Sequence, residues 1–148
     1  MRSVVAMVIF ICVSSLFIAC GGSNSKPVIE REVVVILGDV HFAKNSAELA
    51  PEAKKEVMNY KGRLQGVDNP ILVEGFTDNS GTVAFNLDLS QKRAQAVAKL
   101  IVDVLGVDSS RVTAKGFGVE NPAFPNTTEE NRIKNRRVEV VLMPHAQK

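Results

Sequence analysis

Cysteine is missing from most of this chain. Of 148 residues only two are cysteine, Cys12 and Cys20, and both fall in the first twenty. A disulfide framework, a cysteine-ligated zinc site and a cysteine nucleophile are thereby excluded from everything that follows them. Histidine is nearly as scarce. His41 lies in the first apolar segment of the domain and His145 near the end, and neither accompanies a nucleophile in a recognisable setting. The signatures G-x-S-x-G and H-E-x-x-H and a phosphate-binding glycine loop are absent. Gly116 and Gly118 form only a strand-end pair. Charge of one sign is lacking too: 18 Lys and Arg against 16 Asp and Glu leave a formal +2. No strong field draws such a protein to nucleic acid. Neither an enzyme nor a cofactor or metal site is expected.

What is present begins with an address. Arg2 precedes an unbroken apolar and small run over residues 3–19, followed by Cys20, Gly21, Gly22, Ser23, Asn24 and Ser25. A basic residue, an apolar stretch and small residues describe a secretory signal. The run is short of the roughly 20 residues of a spanning helix. An uncleaved anchor is the competing reading. Leu16-Phe17-Ile18-Ala19-Cys20 resembles the bacterial lipobox, in which a small residue precedes a cysteine that is lipidated and becomes the new N-terminus. The resemblance implies a signal peptide over 1–19, lipidation of Cys20 with palmitate among its acyl chains, and an outer-membrane destination. Residues 20–31 are rich in Gly, Ser and Asn and read as a flexible tether. Its last eleven or so residues reach about 40 Å at most. Whatever the domain binds must lie near the membrane surface.

The length suits one domain with a real core, placed at 32–143 with a tail over 144–148. Residues 32–42 are rich in Val and Ile and read as one strand, or as two with a turn at Gly38-Asp39. Pro51 suits a first helical turn, and Ala53, Val57, Tyr60 and Leu64 recur at helical spacing. One helix over 50–65 is predicted, ended by Gly66. A strand over 70–77 follows, then a turn at Asn79-Ser80-Gly81. A helix over 87–105 carries an Ala94, Ala98, Ile101 and Leu105 stripe, and Gly106 ends it. A strand over 111–117, a loop over 118–128, a short helix over 129–135 and a strand over 136–143 complete the order. Alternation of this kind implies an α/β sandwich, helices packed on a four-stranded sheet.

One stretch carries the chemistry. Residues 73–93 run from an apolar strand through Asp78 into a helix carrying Arg93. An acid at a strand end and a base on the next helix can face one small site. A plain Asp78–Arg93 ion pair is the structural alternative, though exposed pairs contribute only about 0–1 kcal/mol. The basic group Arg132, Lys134, Arg136 and Arg137 reads equally as a solvated helix end or as part of that site.

The blocks Ser46-Ala47-Glu48-Leu49, Glu74-Gly75-Phe76-Thr77-Asp78-Asn79, Asn86-Leu87-Asp88-Leu89-Ser90, Arg93-Ala94-Gln95-Ala96-Val97 and Asn135-Arg136-Arg137-Val138-Glu139 resemble the OmpA-like peptidoglycan-binding domain. Peptidoglycan-associated lipoproteins carry that domain. The resemblance spans about 40–142 and implies a β-α-β-α-β-α-β two-layer sandwich with a mixed sheet. It implies binding of the diaminopimelate-containing stem peptide of peptidoglycan. Asp78 would meet the ammonium and Arg93 the carboxylate, while Asn86, Arg136, Thr77 and Asn45 would line the pocket. The far end of diaminopimelate is a zwitterion, so an acid and a planar guanidinium on separate rigid elements suit it. The sequence departs from the family in three places: Phe76 stands for the usual histidine, Phe85 for the usual tyrosine, and the first strand reads His41-Phe42-Ala43-Lys44-Asn45 where many members carry aspartates. The expected protein is a non-enzymatic outer-membrane lipoprotein, its domain facing the periplasm and tethering membrane to wall. Two other readings remain open: a protein–protein module of a Tol-type or secretion-type envelope complex, and a MotB-like inner-membrane anchor with its N-terminal segment uncleaved.

Overall fold

The computed structural model describes residues 30–145 apart from residue 44. The apolar N-terminal run, Cys20 and most of the tether lie outside the described residues. The elements follow the expected alternation. Strand β1 (Glu32–Gly38) runs into a 3-10 turn (Asp39–His41), then come α1 (Pro51–Asn59), α2 (Lys61–Gln65), β2 (Ile71–Phe76) and α3 (Val83–Leu105). A second 3-10 turn leads into β3 (Val112–Gly118), followed by α4 (Glu129–Asn135) and β4 (Arg137–Leu142). The sheet order is β1-β4-β2-β3. Strands β2 and β3 are parallel, whereas β4 lies antiparallel to both β1 and β2. The sheet is therefore mixed, and its two central strands are the most deeply buried.

Alternation along the strands sends Ile71, Val73, Val138, Val140 and Leu142 to the helical side. There they meet Val57, Leu64, Ala94, Val97, Ile101 and Leu105 in one core. The opposite face carries an ionic pairing. Glu74 and Glu139 stand directly across from each other, a repulsive arrangement by itself. Arg31 binds Glu74, and Arg137 Nε donates to Glu139 Oε1 at 2.7 Å.

Helix α3 lies unusually close to the sheet. Gly75 and Gly116 are neighbours across β2 and β3. A Cβ on Gly75 would stand 2.1 Å from the carbonyl oxygen of Ser90, and one on Gly116 2.4 Å from the Gln91 nitrogen. Only glycine fits at both. The free edge of β3 is covered by the same helix. Gly116 N donates to Gln91 Oε1 at 2.7 Å, and Gly118 N donates to Ser90 Oγ at 2.8 Å. Those two amides are thereby withheld from pairing with another chain.

Three boundaries differ from expectation. The helix predicted over 50–65 divides at Tyr60, whose N–H bonds Val57 O in a tight i→i−3 closure. Helix α3 begins at Val83, four residues before the predicted start, because Thr82 Oγ1 accepts from Phe85 N at 3.2 Å and caps it. Arg93 therefore sits in its third turn. In the tail, His145 Nε2 lies 3.1 Å from Asp68 Oδ1, so the chain is held that far; residues 146–148 lie outside the described part.

Candidate functional site

The buried face of α3 changes character along its length. From Ala94 to Leu105 it is apolar, but toward the N-terminus it continues as Asn86, Ser90 and Arg93, all buried. Ser90 is taken up by the sheet edge. Asn86 and Arg93 instead face a cavity of about 290 Å3 at the C-terminal end of β2. All six residues singled out from the sequence line it: Asn45, Thr77, Asp78, Asn86, Arg93 and Arg136. Asp39, Ser80, Phe85, Leu89 and Glu129 line it too.

Strand β2 delivers Thr77 and Asp78 one step past its last paired residue. Asp78 is 4% exposed. Its Oδ1 accepts from Ser80 N at 2.7 Å, closing the turn, and its Oδ2 accepts from Arg136 Nη1 at 2.5 Å. Burial alone would raise this carboxyl, but the Ser80 N–H and the Arg136 guanidinium outweigh it and hold the group below its ordinary value. Asn86 donates its amide to Ser80 O at 2.8 Å and so fixes the turn to α3. Thr77 is tied through its backbone N to Gly118 O at 2.8 Å, while its hydroxyl is buried without a hydrogen-bond partner.

Arg93 does not pair with Asp78. Its Nε donates to Ser46 O at 2.8 Å, its guanidinium lies 4.7 Å above the Phe42 ring, and its Nη2 is 3.6 Å from Asp39 Oδ1. The side chain is nearly sealed from solvent, and burial pulls its ionisation downward against the pull of Asp39. One of its five N–H donors makes a close hydrogen bond, to Ser46 O; Nη2 faces Asp39, and the residue lines the cavity.

Arg136 is the hub. Its Nη1 binds Asp78, its Nε donates to Asp39 Oδ2 at 3.1 Å and its Nη2 to Glu129 Oε1 at 2.9 Å. Burial opposes its charge, but the bonds to Asp78 and Glu129 more than compensate, and its pKa rises. Glu129, in return, is held below its ordinary value by Arg136 and Arg132.

The run Asn135-Arg136-Arg137, read in the sequence as one basic block, splits three ways. Asn135 is fully buried and bonds Phe124 and Asn126, pinning the long loop before α4. Arg136 enters the cavity. Arg137 crosses to the other sheet face, 4.1 Å above the Phe76 ring, which stacks on Phe117 at 5.3 Å. Phe76 therefore does not line the cavity, whereas Phe85 does, half exposed at its rim. Asn45 reaches the cavity from a left-handed backbone position, φ 51°.

Asp39 and Glu129 were not anticipated. Asp39 was read as part of a turn beside Gly38, and Glu129 as the first residue of α4. The available signal was an acid opening a turn after a strand and an acid opening a helix, each too common to single out.

Comparison with known proteins follows the same outline. The OmpA family profile matches residues 41–136. The chain is 36% identical over 107 residues to the probable lipoprotein YiaD of Escherichia coli, covering 72% of this chain and 48% of that protein. It is 37% identical over 107 residues to the peptidoglycan-binding protein ArfA of Mycobacterium tuberculosis, covering 71% of this chain and 32% of that one. The chain thus spans half or less of either relative. Among solved structures, the cell wall anchor of the T6SS from Pseudomonas aeruginosa superposes with a TM-score of 0.69 at 32% identity, covering 81% of this chain and 86% of that one. With the family profile matching well over half of its length, and with the same mixed sheet and helical layer, this chain belongs to the OmpA family, whose peptidoglycan-binding members are non-enzymatic.

Proposed function

We propose that this protein binds peptidoglycan through the cavity at the end of β2, and that it tethers the outer membrane to the wall. Arg93 carries the reading. A buried guanidinium that lines a cavity with a single close hydrogen bond is costly unless a ligand of matching geometry meets it, and a carboxylate does so with two parallel bonds. Asp78, on a different element, keeps acceptor capacity beyond its bonds to Ser80 and Arg136 and suits an ammonium. Thr77, whose hydroxyl is buried and unpartnered, lines the same cavity. A zwitterionic α-amino acid end, as in diaminopimelate of the stem peptide, answers all three. Asn86 and Arg136 then hold the acid in place, and Asn45 closes the rim. Likeness to a protein named as peptidoglycan-binding and to one named as a probable lipoprotein supports the ligand and the anchor. The anchor is lipid on Cys20, with the domain facing the periplasm.

Sedimentation with purified peptidoglycan tests the site. Wild-type protein is expected in the pellet, and Arg93→Ala and Asp78→Ala in the supernatant with unchanged circular dichroism. Retention of both variants would overturn the assignment. Likeness to the T6SS cell wall anchor supports a second reading, a module of a secretion-type envelope complex. Wild-type protein that stays in the supernatant would favour it.

A further inference from the structure

Asp39 stands between the two guanidinium groups of the cavity. Its Oδ2 accepts from Arg136 Nε at 3.1 Å, and its Oδ1 lies 3.6 Å from Arg93 Nη2. Each arginine has other partners as well. Arg136 is held by Asp78 at 2.5 Å and by Glu129 at 2.9 Å. Arg93 is held by Ser46 O at 2.8 Å and by the Phe42 ring beneath it. What Asp39 adds is a negative charge between two positive ones, which is also what a ligand carboxylate would add there.

The residue sits on a short, partly exposed element. It begins a single 3-10 turn, its side chain is 34% exposed, and the next residue, Val40, is 77% exposed.

We infer that Asp39 is a specificity-determining residue, an internal competitor for the carboxylate seat between Arg93 and Arg136. It sets how strongly the cavity prefers a carboxylate over an uncharged carboxamide at that end of its ligand. A ligand carboxylate must displace Asp39 or lie beside it, and either cost offsets part of the attraction to the arginines. A carboxamide meets no such repulsion. The discrimination of the native site is thereby compressed. The inference rests on the diaminopimelate reading of the cavity.

The test uses the full chain in detergent and two synthetic stem tripeptides ending in meso-diaminopimelate. One has its distal carboxylate free, and the other has that carboxylate amidated. Titration calorimetry of Asp39→Asn is expected to show the carboxylate peptide binding roughly two- to tenfold more tightly, the scale of one partly screened charge contact. The carboxamide peptide should stay within about twofold, since it gains no relieved repulsion. Asp39→Ser should reproduce the pattern of Asp39→Asn, tighter binding of the carboxylate peptide with the carboxamide peptide little changed, which guards against an effect peculiar to asparagine. Unchanged or weaker binding of the carboxylate peptide, or equal tightening of both peptides, would overturn the inference. Arg93→Ala, measured in parallel, separates the two levels. If it loses the carboxylate peptide while Asp39→Asn gains nothing, only the role of Asp39 fails. If it binds as wild type does, the carboxylate seat itself is wrong.

Discussion

Asp78 takes its guanidinium partner from Arg136, at 2.5 Å, and not from Arg93, fifteen positions along the chain. The pairing follows from strand register. Phe76 stands opposite Arg137 across β2 and β4, so the next step of the same ladder brings Arg136 across from Thr77 and within reach of Asp78. Arg93, lining the same cavity, has Asp39 as its nearest acid, with Nη2 3.6 Å from Oδ1.

Replacing Arg136 with glutamine should destabilise the domain by about 1–3 kcal/mol at neutral pH, because it leaves a buried carboxylate short of a charged donor. Urea unfolding measures it. The pH dependence has a definite sign. Asp78 is held below its ordinary 3.8, so its stabilisation is fully present above that value and is lost as pH falls through the lowered folded value. Unfolding curves between about pH 2 and 5 should therefore show a shallower acid limb in Arg136→Gln than in wild type.

The Thr77 hydroxyl is buried and unpartnered, so valine should be tolerated or favoured. A gain of about 1 kcal/mol is expected in Thr77→Val, the cost of burying an unbonded hydroxyl. Peptidoglycan sedimentation of the same variant should weaken. Opposite changes in stability and binding are the mark of a polar group kept for a ligand. A loss of stability together with unaltered binding would contradict this.

Glycine is required under α3 but not inside α2. In Gly116→Ala the new Cβ meets the Gln91 backbone at 2.4 Å. Overpacking of this kind costs about 1–3 kcal/mol or more, and the Tm should fall by roughly 5–15 °C. Gly62 has nothing within 4 Å of a built Cβ and lies inside α2. Gly62→Ala should stabilise by up to about 1 kcal/mol. Calorimetry of the two variants side by side checks both signs.

Membrane attachment should depend on Cys20. In Cys20→Ser, lipid labelling should disappear and the protein should leave the membrane fraction. Continued membrane association with the N-terminal run intact would support the uncleaved anchor instead.

Much of the site was legible because its parts are local in sequence. Thr77, Asp78, Asn86 and Arg93 lie within seventeen positions, and a strand, a turn and a helix were readable from hydrophobic periodicity and the glycine of the turn. Phe76 shows where that legibility ends. It stands in the middle of the motif, yet strand alternation turns it to the opposite face, under Arg137 and against Phe117. Its departure from the family pattern therefore falls outside the cavity.

By itself the sequence determined the order of elements and the apolar stripe of α3, which depend on local periodicity and turn chemistry acting over a few residues. Six of the polar residues that share the cavity were named through the resemblance to a family. Only the tertiary structure decided which charges meet. Asp39 and Arg136 are 97 positions apart, and Arg136 and Asp78 are 58 apart. The first meeting depends on the antiparallel register of β1 on β4, which sets Gly38 opposite Arg137, and the second on that of β2 on β4; the close seat of α3 over Gly75 and Gly116 brings Arg93 to the same cavity. Sheet register and helix height follow from the packing of the whole core, and no local pattern encodes them.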